Sequence, residues 1–197
     1  MGGTQIPVAN LGELESAVSY IPEEIWNDFG GQGQAEGGGG TSIYEPQPIW
    51  QTGVPGISAT GFRLVPDISL NSSGMQPGYL ICSSDAAFGI GNDNCSHGFH
   101  NAAGGGYDII GGTSVAAPIF AGMVAVLNQA KGYTAGQGLI NPTLYSLASD
   151  PNTYAAAFHD ITDGNNACSM VIYCLEGPQN TDYAAGIGYD EASGLGS

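Results

Sequence analysis

Between Ile119 and Leu127 the chain reads Ile-Phe-Ala-Gly-Met-Val-Ala-Val-Leu, nine residues without a polar side chain. Wound into a helix, such a run is apolar on nearly every side and belongs in the middle of a folded domain. Just before it stands Gly111-Gly112-Thr113-Ser114-Val115-Ala116-Ala117-Pro118. The two glycines permit backbone conformations that a Cβ forbids. Thr113 and Ser114 fall where a helix begins, and Pro118 within its first turn, where a missing N–H costs little. The expected helix runs from Ser114 to about Lys131, with Gly132 marking its end. A serine at that start is exposed, held by a sharp turn and close to the positive end of the helix dipole. The position suits a nucleophile; it equally suits a plain helix N-cap.

At 197 residues the chain can bury one sizeable core, as one domain or part of one. Glycine is abundant at 33 residues while apolar residues reach 42%, the mark of a folded, loop-rich chain rather than a disordered one. No apolar run of about 18 residues is free of polar breaks, so no membrane span is expected. No basic, apolar signal segment opens the chain. Eighteen acidic residues stand against Arg63 and Lys131, giving a formal charge of −16. Nucleic-acid binding needs basic groups to displace counterions, and this chain has almost none. Few carboxylates can be salt-bridged, so protonating them breaks few ion pairs and leaves little positive charge to repel itself. Adaptation to acid follows as an expectation, beside the plainer reading of solubility.

Four cysteines fall in two local pairs, and three pairings are possible. Neither pair has the Cys-x-x-Cys spacing of zinc or thioredoxin sites. Disulfides Cys82–Cys95 and Cys168–Cys174 in an oxidising compartment are preferred over free buried thiols. His97 and His100, with Asp85 and Asp93 in the same loop, match no metal-ligand spacing, and a solvated loop is expected there. Strands are expected near residues 1–9, 62–70, 79–82 and 107–110. Asn141-Pro142 starts a second helix to about Ala148, with Asn141 as cap. Strands alternating with helices favour an α/β sheet.

Several motifs occur in a telling order: Gly2-Gly3-Thr4, Glu24-x-Trp26, Gly37-Gly38-Gly39, Pro48-x-Trp50-Gln51, Arg63-x-x-Pro66-Asp67-Ile68-Ser69, Gly112-Thr113-Ser114 and Gly186-x-Gly188-Tyr189-Asp190. Their succession resembles the sedolisin family of serine-carboxyl peptidases, nearly end to end. The resemblance implies a subtilisin-like α/β fold, a parallel sheet flanked by helices, of which residues 1–197 are the C-terminal part. It implies Ser114 as nucleophile in the turn and helix 111–131, a glycine-rich substrate-cleft segment 31–41 with Gly37, Gly38 and Gly39 against an extended peptide, and calcium loops within 158–191. The calcium ligands so implied are the Asp160 and Asp190 carboxylates and the Ile161, Gly186 and Gly188 carbonyls, an oxygen set suited to Ca2+. The family's Glu/Asp base pair and its oxyanion Asp lie upstream of its Gly-Gly-Thr. This chain would then need an upstream half of the same domain as partner, and no turnover is expected of it alone.

The order of motifs also sets aside Glu24 and Asp28 as a catalytic pair, although four residues apart they would share a helix face. Asp67 is expected to partner Arg63 or cap local N–H groups. The substrate would be polypeptide, cleaved in acid outside the cell, because a carboxylic acid donates to an oxyanion only while protonated. The rival readings are an inactive secreted peptide-binding domain that kept the fold, and a structural domain in which Ser114 only caps a helix.

Overall fold

The computed structural model describes residues 1–7, 19–30, 33–85, 94–100, 106–167 and 183–197. Its elements among those residues are nine strands, three α-helices and a single 3-10 turn, Ile49–Gln51. A three-stranded sheet carries β1 (Gly2–Gln5) at its centre, with β2 (Glu24–Ile25) antiparallel on one side and β7 (Ser69–Asn71) parallel on the other. Antiparallel ribbons surround it: β3 (Asn27–Gly30) with β4 (Gly33–Glu36), β5 (Gly40–Pro46) with β6 (Phe62–Val65), and β8 (Tyr79–Leu80) with β9 (Ile109–Ile110). The helices are α1 (Thr113–Lys131), α2 (Asn141–Ala148) and α3 (Pro151–Ala157), which makes the fold α/β.

The run expected as one strand over 62–70 is two strands, broken at Pro66, which has no N–H to give a ladder. Pro118 lies in the second turn of α1, because the helix opens at Thr113 rather than Ser114. In α2 the residue before the helix is Ile140, so Asn141 is the first helical residue and caps nothing through its side chain. The sequence reading passed over α3. Asp150 caps it, accepting from the N–H groups of Asn152 and Thr153 at 3.0 and 3.1 Å, with Pro151 in the first turn.

The main core gathers Val54, Leu64, Ile68, Tyr145, Phe158 and Leu195, between β6, α2 and the C-terminal segment. A polar frame runs through it. Gln51 is fully buried and bonds Leu64 through both its amide groups and the Tyr145 hydroxyl through Nε2. Tyr145 donates on to Asp67 Oδ1 at 2.8 Å, and Arg63 holds Asp67 at 2.5 and 2.6 Å while lying over the Trp50 ring. The expected Arg63–Asp67 partnership is present as a salt bridge.

Helix α1 overturns the expectation that it is buried on nearly all sides. Only Ala116 in it is buried, and Met123, Val126 and Leu127 are 52%, 66% and 40% exposed. The helix meets β1 and β7, but nothing among the described residues covers its outer apolar face. It is also long and apolar enough to cross a membrane by length and composition, with a mean hydropathy of 1.3, since its polar residues are too few to lower the average. Cys82 and Cys95 form the expected disulfide. The second expected pair, Cys168 with Cys174, lies outside the described residues.

Candidate active site

Gly112 is the N-cap of α1, with φ 111°, a value that favours glycine, and no side-chain capping bond is made. Ser114 is therefore the second residue of the helix, and it is exposed. The plain N-cap alternative does not describe it. Pro118 has no N–H for the carbonyl of Ser114, so that carbonyl lacks its i+4 helical donor. The turn rests on the loop after β7. Gly112 N donates to Ser72 O at 2.5 Å, and a Cβ on Gly111 would lie 2.2 Å from Gly74 N. Val115 N closes the first turn onto Gly112 O at 2.8 Å.

The three glycines of the expected cleft segment differ in surroundings. Gly37 is buried, with its N–H given to Trp26 O and its carbonyl taken by Asn166 Nδ2. Gly39 lies where a Cβ would sit 1.5 Å from the Glu191 carbonyl oxygen, so it is a site of close chain crossing. Gly38 is exposed and has open space where a Cβ would be, so of the three it alone presents a bare backbone.

Four residues of the expected calcium set, Asp160, Gly186, Gly188 and Asp190, meet through hydrogen bonds, while Ile161 is buried in a small core cluster with Ile25 and Ala192. Gly188 N donates to Asp160 Oδ2 and Gly186 N to Asp190 Oδ2, both at 3.0 Å, so both carboxylates meet the same glycine loop. Asp190 also holds the next turn through the N–H groups of Ala192 and Ser193 and the Ser193 hydroxyl. Asp160 Oδ1 accepts from Tyr154, which the sequence reading did not connect with this loop. Burial, reinforced by Asp160, pushes the Tyr154 phenol well above its ordinary range, so it stays a donor. Burial also raises Asp190 above the ordinary carboxylate value, against the opposing pull of its N–H partners. Among the described residues no three His, Cys, Asp or Glu side chains converge. The donor set is two carboxylates with backbone carbonyls, all hard oxygen, which fits calcium and does not fit zinc or a softer ion.

The Glu24–Asp28 stretch is strand, not helix, so its two carboxylates do not share a helix face. Glu24 takes the Gln5 amide at 2.7 Å. Asp28 is 5% exposed, and its Oδ2 accepts from Trp26 Nε1 at 2.8 Å, Ser73 Oγ at 2.8 Å and Gly74 N at 3.2 Å. Its Oδ1 has no partner among the described residues. No sequence signal marked this cluster, because Asp28 and Ser73 are 45 residues apart.

No family model matches the chain. Individual proteins do. Kumamolisin of a Bacillus species is 35% identical over the whole chain, which corresponds to 28% of its length. Sedolisin of a Pseudomonas species is 33% identical, again over the whole chain and 26% of its own length. Xanthomonalisin of a Xanthomonas species is 29% identical over 92% of the chain and 18% of its length. A solved structure, Pseudomonas sedolisin (a serine-carboxyl proteinase) complexed with two molecules of pseudo-iodotyrostatin, superposes with a TM-score of 0.67 at 32% identity. That match covers 100% of this chain and 42% of the other. The likeness in sequence and the likeness in fold extend over the same full span, so the chain is a sedolisin-family homologue corresponding to about a quarter of the length of the first two curated relatives.

Proposed function

We propose that this chain is the C-terminal, nucleophile-bearing part of an acid-acting serine-carboxyl endopeptidase that hydrolyses polypeptides outside the cell. The observation that carries the proposal is the setting of Ser114. It is exposed at the second position of α1, while Gly112 occupies the cap, so the hydroxyl has no capping task. Gly111 and Gly112 immediately precede Thr113 and Ser114, and the family resemblance assigns the segment of Gly37, Gly38 and Gly39 to the substrate cleft. The uncovered face of α1 supports a partner in the form of the upstream part of the same catalytic domain.

In this reading Ser114 Oγ attacks the scissile carbonyl carbon as its proton passes to a glutamate of the upstream part, itself oriented by an aspartate. The tetrahedral oxyanion accepts a hydrogen bond from a protonated carboxyl, also upstream. The C–N bond then breaks as the amine leaves with a proton, and water hydrolyses the acyl-enzyme. The α1 N-terminus adds a favourable field for developing negative charge. Gly38 offers backbone to an extended substrate.

Labelling tests the assignment. In the complete catalytic domain at acid pH, a fluorophosphonate probe should modify Ser114, and the isolated chain should not react. A complete domain that cleaves peptides while Ser114 stays unmodified overturns it.

Calcium would be held by the Asp160 and Asp190 carboxylates and the carbonyls of Ile161, Gly186 and Gly188. Bound there, it would neutralise two acidic groups and tie the α3 end to the C-terminal loop. Chelation should then lower the melting temperature of the complete domain, with a loss of about 3 kcal/mol if calcium is present at roughly 100 times its Kd. Asp160→Ala should remove the chelator response, and a response unchanged in that variant places the ion elsewhere.

Work in acid has support in the fold. Burial raises the Glu36 carboxyl above its ordinary value of 4.5, and its Oε2 is buried without a partner among the described residues. A carboxyl raised in the folded state holds its proton more tightly there than when unfolded. Its stabilising contribution is full below the unfolded value and is lost as pH rises through the folded one. Urea unfolding of the complete domain should therefore show stability rising as pH falls into the range just above 4.5. Glu36→Gln should flatten that rise, and a slope unaltered by the substitution removes Glu36 as its source.

A further inference from the structure

A buried carboxylate behind the nucleophile turn has no part in the mechanism above. Asp28 is 5% exposed and concentrates its bonds on one oxygen, Oδ2, which takes Trp26 Nε1, Ser73 Oγ and Gly74 N. Its other oxygen is buried with no partner among the described residues. Burying a carboxylate so unevenly bonded costs stability, and an apolar residue would avoid that cost. What the arrangement provides is position.

Ser73 is fully buried, and its hydroxyl is fixed from two sides. It donates to Asp28 and accepts from the N–H groups of Met75 and Gln76 at 2.9 and 2.5 Å. Residues 72–74 are thereby set rigidly against the back of the turn. Ser72 O receives Gly112 N, and the Gly74 backbone comes so close to Gly111 that a Cβ there would lie 2.2 Å from Gly74 N. Gly111 and Gly112 immediately precede the first helical residues, Thr113 and Ser114. A shift of residues 72–74 therefore reaches the Ser114 Oγ through a backbone that is already in contact. Trp26 ties the other end of the bracket to the sheet, since its N–H donates to Gly3 O in β1.

We propose that Asp28 is a positioning residue for Ser114, fixing residues 72–74 as the seat of the nucleophile turn. Its consequence for rate rests on the reading of Ser114 as the nucleophile. Its consequence for the turn does not, so the two can fail separately.

The test uses the complete catalytic domain with Asp28→Ala, Asp28→Asn and Ser73→Ala. Asp28→Ala should lower kcat roughly 100-fold, the scale of a misplacement of about 1 Å, with KM little moved. Fluorophosphonate labelling of Ser114 should slow in parallel. Asparagine keeps an acceptor for the three donors, so Asp28→Asn should recover at least about tenfold of the alanine loss. Amide exchange at Gly112 should quicken in Asp28→Ala while the β5–β6 amides hold. Wild-type kcat in Asp28→Ala, a loss confined to KM, or unaltered Gly112 exchange each overturns the proposal. Should Asp28→Ala not fold, Ser73→Ala removes the three hydrogen bonds of that hydroxyl and no charge, and unchanged kcat and exchange in that variant overturn it as well. If wild-type Ser114 resists labelling but Gly112 exchange still responds, the nucleophile reading fails and the bracket stands.

Discussion

Ser114→Ala in the complete catalytic domain should lower kcat on the order of 10^6-fold, the scale for losing the nucleophile of a serine peptidase. The protein should remain folded. Ser114 is exposed and Gly112 holds the cap, so no structural bond depends on the hydroxyl. Alanine is also the better helix former at a second helical position, and stability should change by no more than about 0.5 kcal/mol. KM should be little affected, because the hydroxyl acts on the scissile bond and not on the rest of the substrate. The pairing of a lost kcat with an unmoved melting curve is what separates this residue from a structural serine. Retention of turnover above about one part in a hundred would sink the assignment.

The largest stability effect is expected at Asp67. Both its carboxylate oxygens accept from Arg63 Nη2, and Oδ1 accepts from the Tyr145 hydroxyl as well. Asp67→Ala leaves the half-buried guanidinium without its counter-charge, and Tyr145 without its acceptor. The expected loss is about 3 kcal/mol, at the lower end for a broken buried pair because the two side chains keep 17% and 22% of their exposure. Tyr145 is 1% exposed, and burial, together with Asp67, pushes its phenol far above the ordinary range, so it always donates. Tyr145→Phe should cost about 1 kcal/mol. The double variant should cost less than the sum, since both remove the same hydrogen bond. Urea denaturation of the four proteins measures this directly; strict additivity would mean that the Tyr145–Asp67 bond contributes nothing.

The position of α1 was legible in the sequence because its signals are local. Gly112 and Gly132 bound it, and Gly132 has φ 71° at the C-cap, the left-handed conformation expected there. The Asn141-Pro142 start of α2 was legible to within one residue for the same reason. Asp150-Pro151 carries an equally plain cap and first-turn proline, and α3 went unread because the helix is only seven residues long. Burial was a different matter. An apolar run tells that a surface seeks cover, but not whether the cover is part of the same stretch of chain. Asp28 illustrates the other limit. In sequence it stands four residues from Glu24, which invited a helical pairing. In space its partners come from Ser73 and Gly74, and no periodicity reports a contact of that range. The motif order, by contrast, carried the family reading well, since it samples the whole chain at once.

The bare side of α1 bears on what a calorimeter would see. Unfolding raises heat capacity mainly by wetting apolar groups that were dry. Met123, Val126 and Leu127 are already wet, so melting them adds little to that increment. A thermogram of these 197 residues by themselves would show a flatter stability curve than their number implies. The missing curvature would reappear only when whatever shields the helix melts with it.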